Sequence, residues 1–98
     1  KGDTIYADGG TDILVGGAGD DVFNLENVVG GNNHDTMSHV HIKNISASDS
    51  IVMDKTDDFS GDTENDGIVN VQKTNGTSYM LFTDDEDLLK NHLSDALL

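Results

Sequence analysis

Apolar residues in the first thirty positions come as isolated pairs and triplets separated by runs of Gly and Asp. Ile5, Leu14 and Phe23 recur at an even nine-residue spacing. Stretches this short cannot fill a helix face, so the pattern predicts brief strands between tight turns, Val22-Phe23-Asn24 among them with Phe23 facing inward. From His39 to Ile45 apolar and polar residues alternate. This predicts a strand with Val40 and Ile42 on one face and His39 and His41 on the other. Ser46–Ser50 reads as a turn and Ile51-Val52-Met53 as a further strand. Ile68–Gln72 and Ser78–Phe82 read as two strands joined around Thr74-Asn75-Gly76, because Asn-Gly between apolar runs favours a hairpin. Val69 and Val71 then face Met80 and Phe82 or their neighbours, the register being left open. Thr83-Asp84-Asp85-Glu86 has the form of a capping box, with Thr83 as N-cap and Glu86 three residues on. Leu88, Leu89, His92, Leu93, Ala96 and Leu97 follow as one apolar stripe at helical spacing. The predicted helix runs from about Asp84 to about Ala96 and serves as a lid on the strands.

The turns carry the chemistry. Gly16-Gly17-Ala18-Gly19-Asp20-Asp21-Val22-Phe23-Asn24 fits the nonapeptide Gly-Gly-x-Gly-x-Asp-x-U-x, with U a large apolar residue. Glycines let the backbone turn tightly and aim carbonyls inward, and the aspartate adds a carboxylate. Carbonyl and carboxylate oxygens are the ligands of a hard cation such as Ca²⁺. The pattern repeats in frame. Gly10, Asp12 and Leu14 stand nine residues before Gly19, Asp21 and Phe23, and Asp3 and Ile5 nine before those. A fourth copy, Gly30-Gly31-Asn32-Asn33-His34-Asp35-Thr36-Met37-Ser38, is out of frame. Asn33 replaces its third glycine, and Asn tolerates the left-handed backbone better than most residues.

On these residues the chain resembles the RTX, or hemolysin-type calcium-binding repeat, proteins, strictly over residues 1–38 and more loosely over the rest. The resemblance implies an all-β fold: a short parallel β-roll (an RTX solenoid) over residues 1–38, and over 39–98 a β-rich C-terminal cap with strands, a hairpin and a terminal α-helix, the whole one compact unit. Turns eighteen residues apart then stack with Ca²⁺ between them. One ion is expected between Asp3 and Asp21, held also by the turn Gly16, Gly17, Ala18 and Gly19. A second is expected between Asp12 and Asp35, with Asp8, Gly9 and Gly10 below and Gly30, Gly31 and Asn33 above. Leu25–Val29 would lengthen the intervening strand to bring those turns together. Asp35-Thr36-Met37 and Asp49-Ser50-Ile51 resemble the segment that closes such rolls, and Asp49 is expected to add an oxygen near Asp21. Two features depart from the family: the first turn is truncated, and Ala7-Asp8 stands where Gly-Gly is usual.

Charge sharpens the reading. The chain has 98 residues, one domain's worth, with 19 acidic against 5 basic residues and a net charge of −14. Sixteen of the acids are Asp, which suits turns and cation ligation better than helix surfaces. Such self-repulsion destabilises the compact state, and divalent cations bound to the folded form offset it. No basic patch exists for nucleic acid or anionic membrane. No apolar run is long enough to span a bilayer, so no membrane insertion is expected. There is no cysteine and no proline, which excludes a disulfide framework and self-cleavage at Asp-Pro. The chain opens mid-repeat at Lys1, as a C-terminal fragment of a larger protein would.

Other motifs are weaker. Asp62-Thr63-Glu64-Asn65-Asp66-Gly67, within the acidic stretch 54–67, matches the front half of an EF-hand loop. Lys73 stands at the twelfth position, where a bidentate Glu belongs, and a solvated loop is the preferred reading. His34, His39 and His41 lie close in sequence but without zinc-site spacing, and read as surface residues. No serine sits in a Gly-x-Ser-x-Gly elbow, and no Lys-Ser/Thr follows the glycines as in a phosphate loop. We therefore expect a non-enzymatic, monomeric calcium-binding module. Resemblance to RTX proteins implies secretion to the extracellular space or cell surface of a bacterium, Gram-negative or cyanobacterial. A type I secretion ABC transporter would export it, reading a C-terminal signal. Folding would then follow Ca²⁺ binding outside the cell. The alternative is a calcium-dependent recognition module of a surface adhesin.

Overall fold

The computed structural model describes residues 2–17, 19–33 and 35–98. Among these residues, seven strands and one helix follow in the order β1 Thr4–Tyr6, β2 Thr11–Val15, β3 Val22–Asn24, β4 His39–Lys43, β5 Ser50–Val52, β6 Ile68–Gln72, β7 Ser78–Thr83 and α1 Glu86–Ala96. They form two sheets, one of order β1-β3-β5 and one of order β2-β4-β7-β6. The first sheet is wholly parallel, with Ile5 beside Phe23 and Phe23 beside Ile51. In the second, β2 pairs with β4 and β4 with β7 in parallel, and the β6–β7 hairpin is antiparallel. The hairpin register places Val69 opposite Leu81 and Val71 opposite Tyr79.

The inward faces of both sheets share one core. Phe23, Val40, Ile42, Val69, Val71, Tyr79 and Leu81 are fully buried, and so are Leu89 and Leu93 of α1. Period-two alternation explains the strands: in β4, Val40 and Ile42 are buried while His39 and His41 are half-buried on the other face. Those two imidazoles stack on Phe82, His41 at 4.5 Å and His39 at 6.1 Å between ring centroids, instead of standing free on the surface. The helix packs against β5 and β6, the last strand of each sheet. Lys55 donates to the carbonyl of Leu98 at 2.6 Å, beside the negative end of that helix.

Three expectations are corrected. The all-β roll gives way to a small mixed α/β domain, with parallel and antiparallel pairing and a helix whose leucines complete the core. The nine-residue period stops at Asn24, and beyond it the chain builds a hairpin and a helix layer. Leu25–Val29 does not lengthen a strand. It turns, with Val28 N–H on the Leu25 carbonyl at 3.2 Å, and it buries Leu25 and Val28. The helix cap is Asp85, whose carboxylate accepts the Leu88 N–H at 3.2 Å. Thr83 accepts the N–H of Asp85 instead, and Glu86 is drawn away to another partner.

Candidate metal centre

The parallel register of the first sheet pairs Thr4 with Val22 and Val22 with Ser50. The residue before each is an aspartate. Asp3, Asp21 and Asp49 therefore form a ladder at one end of the sheet. The carboxylate of Asp21 accepts the N–H of Asp3 and that of Gly17, both at 3.1 Å. The carboxylate of Asp49 accepts the N–H groups of Asp21 and Ser46, both at 2.8 Å. Asp21 is 2% exposed and Asp49 6%. Gly16 makes the close approach possible. A Cβ there would lie 3.0 Å from the Phe23 ring, 3.1 Å from the Asn44 carbonyl and 3.3 Å from the Asp21 carboxylate. Gly19 and its nine-residue counterpart Gly10 take φ of +99° and +86°, the left-handed turn conformation. Ala18 lies outside the described residues.

The other expected centre is not assembled. Asp12 pairs in register with Val40, so its neighbours on the sheet are apolar. Its carboxylate accepts the N–H of Asp8 at 3.0 Å. Gly9 is next to Val29, and the Gly10 carbonyl accepts the N–H of His39 at 2.9 Å. Gly30 abuts Thr77, and Gly31 exchanges backbone hydrogen bonds with Ser78, so both glycines are drawn to the β6–β7 hairpin rather than over Ala7–Asp12. Asn33 does not turn left-handed. Its amide oxygen accepts the N–H groups of Asp35 and Thr36, at 3.0 and 3.1 Å. Asp35 lines an open cleft with Thr11, His39 and His41. The cause is the register: β2 and β4 are offset by the long excursion through residues 25–38, which carries Asp35 upstream of the residues that pair with β2.

A second acidic group joins Asp62 and Asp66 of the EF-hand-like stretch to Glu86, which local spacing did not reveal. Oxygens of Asp62, Asp66 and Glu86 lie within 4.8 Å of one another. Glu86 comes from α1, and one of its oxygens accepts the N–H of Asp66 at 2.9 Å and of Gly67 at 2.7 Å. It thus stands by the loop whose twelfth position in sequence is Lys73. This cage holds its own cation. The Lys90 ammonium lies 2.8 Å from Asp62 Oδ2 and 3.0 Å from Glu86 Oε2, both buried oxygens. Burial works against the charged form of Asp62, but hydrogen bonds from Lys90 and within the cage outweigh it and hold its carboxyl below the usual carboxylate range. The same hydrogen bonds, to Asp62 first and Glu86 second, raise Lys90.

A lysine also answers the buried charge of Asp57. Asp57, 4% exposed, pairs with Lys73 at 3.3 Å and accepts the phenol O–H of buried Tyr79 at 3.1 Å. Burial, then the charge of Asp57, pushes the Tyr79 phenol far above its ordinary range. Asp21 and Asp49 differ. Among the described residues no lysine pairs with either; their partners are backbone N–H groups alone. Each carboxylate accepts two hydrogen bonds where it has about four acceptor positions. Among the described residues, only Asp62, Asp66 and Glu86 bring three ligand atoms within 4.8 Å of one another; at the ladder it is the N–H of Asp3, not its carboxylate, that meets Asp21.

Compared with known proteins, the chain matches no family model, no curated protein and no solved structure.

Proposed function

We propose that this chain is the calcium-binding part of a larger exported bacterial protein, and that Ca²⁺ at the Asp3–Asp21–Asp49 ladder orders its N-terminal turns. One observation carries the reading: two neighbouring buried carboxylates have no cationic side chain among the described residues. Burying carboxylates without a counter-charge is costly, and backbone dipoles offset only part of that cost. A divalent cation held by Asp3, Asp21 and Asp49 together with turn carbonyls supplies the missing charge. It also relieves the self-repulsion of a chain at −14. Binding to the folded form alone contributes about 2.7 kcal/mol at one hundred times the dissociation constant.

Export rests on the repeat Gly16–Asn24 and its resemblance to RTX proteins, through a type I ABC transporter. Where calcium is scarce the turns stay loose, and where it is plentiful they close. The test is a Ca²⁺ titration of EDTA-stripped protein followed by far-UV circular dichroism, with Mg²⁺ as control. A cooperative gain of β signal with Ca²⁺ alone is expected, because Ca²⁺ accepts irregular oxygen sets and Mg²⁺ demands a stricter octahedron. The same folded spectrum with EDTA and with Ca²⁺ would sink the reading.

A further inference from the structure

We infer that His92 is a positioning residue for the aspartate ladder, an inference that rests on the calcium reading above. His92 is buried, 8% exposed, on the face of α1 that carries Leu89 and Leu93 into the core. Its Nε2 lies 2.8 Å from the carbonyl oxygen of Ser46. A carbonyl only accepts, so Nε2 carries the proton and donates. The same carbonyl accepts the N–H of Asp49 at 3.1 Å, while Ser46 N–H donates to the Asp49 carboxylate at 2.8 Å. Ser46 and Asp49 thus close a small turn on each other, and His92 pins its one shared oxygen from outside.

The consequence reaches the ladder directly. The second Asp49 oxygen accepts the N–H of Asp21, and the Asp21 carbonyl accepts the N–H of Ser50 at 2.9 Å. Asp21 in turn takes the N–H groups of Asp3 and Gly17. An unbroken path of hydrogen bonds therefore runs from the helix through the Ser46 turn to all three aspartates. Without the imidazole the Ser46 carbonyl loses its only partner from α1 among those described. The Asp49 carboxylate then keeps the N–H groups of Asp21 and Ser46, but the turn that aims it is no longer anchored to the helix. Outer partners that fix the orientation of metal ligands typically change metal affinity about 10- to 100-fold.

Calorimetric Ca²⁺ titration of the full chain tests this on wild type, H92L, H92Q and H92N. Gln places an N–H where Nε2 stands, Asn where Nδ1 stands, and Leu offers none. We expect H92L and H92N to bind Ca²⁺ about tenfold more weakly and H92Q to bind as wild type does. Melting temperatures in EDTA should not separate H92Q from H92N, whereas affinity should. Should H92L fail to fold, the Gln and Asn variants decide alone. Wild-type affinity in H92L or H92N, or equal affinities of H92Q and H92N, would overturn the role of His92 and leave the calcium reading standing. No calcium binding by the wild type would overturn both.

Discussion

The backbone N–H of Asp21 donates to the carboxylate of Asp49 at 2.8 Å, across the parallel pair β3–β5. One buried aspartate thus positions another, and among the described residues no lysine pairs with either.

Replacing Asp49 by Asn removes the charge while keeping the shape. It leaves one carbonyl-type oxygen for two N–H donors, so one donor goes unpaired. We expect a loss of about 1–3 kcal/mol in EDTA and, more tellingly, loss of most of the calcium-dependent stabilisation. Urea unfolding with and without Ca²⁺ measures both. If D49N keeps the full wild-type difference, the ladder is not the calcium site.

Gly16→Ala and Gly17→Ala should separate cleanly. The new methyl at position 16 meets the Phe23 ring and two oxygens, at 3.0 to 3.3 Å. We expect a cost of about 1–3 kcal/mol. At position 17 nothing lies within 4 Å, so the change should be within about 0.5 kcal/mol. Equal effects in thermal melts would mean that the turn is not packed as described.

The Asp62–Lys90–Glu86 cage makes a pH prediction with a definite sign. Asp62 titrates lower in the folded chain than its ordinary 3.8, so its contribution is fully present above that value and is lost as pH falls through the folded one. Lys90 titrates higher than its ordinary 10.5, so its contribution holds below that value and is lost as pH rises through the folded one. K90M should therefore be less stable than wild type between those limits and converge with it at both extremes. A pH-independent gap in melting temperature would show that packing of the lysine stem, not its charge, matters.

Tyr79→Phe leaves the Asp57 carboxylate without the phenol that donates to it at 3.1 Å. A loss of about 1–3 kcal/mol is expected, since a buried acceptor is stranded. In wild type the Tyr79 phenol should ionise only as the chain unfolds in alkali, because burial and Asp57 oppose the phenolate. Absorbance at 295 nm followed beside circular dichroism checks this. Tyr79 ionisation ahead of unfolding would contradict the burial.

Single strands, the hairpin turn and the helix could be read from short-range pattern, but their mixed α/β arrangement could not. The even spacing of Asp3 and Asp21 set them on neighbouring strands, where the N–H of Asp3 meets the Asp21 carboxylate. The hairpin turn was legible because Asn75-Gly76 has few alternatives, and Gly76 indeed takes a φ of +87°. The pairing of β2 with β4 was not legible, because nothing local measures how much chain the turns between residues 25 and 38 consume. Glu86 looked like half of a capping box, yet a nearby loop offered two N–H groups and won its carboxylate. His92 looked like one more apolar-stripe residue. Its donor role depends on Ser46, 46 positions away, and no spacing rule spans that distance.

The path from His92 to Asp3 also has a meaning in time. Its links join residues separated by 46, 28 and 18 positions, so none of the long ones can form early on a growing chain. A polypeptide lengthening towards its C-terminus makes the three aspartates before α1 and holds them unset. They are locked only after α1, which follows all seven strands in chain order, has docked. Contacts of such long range make for slow ordering. Until α1 has been made the acidic turn segment is therefore an open chain, and the helix decides when that ends.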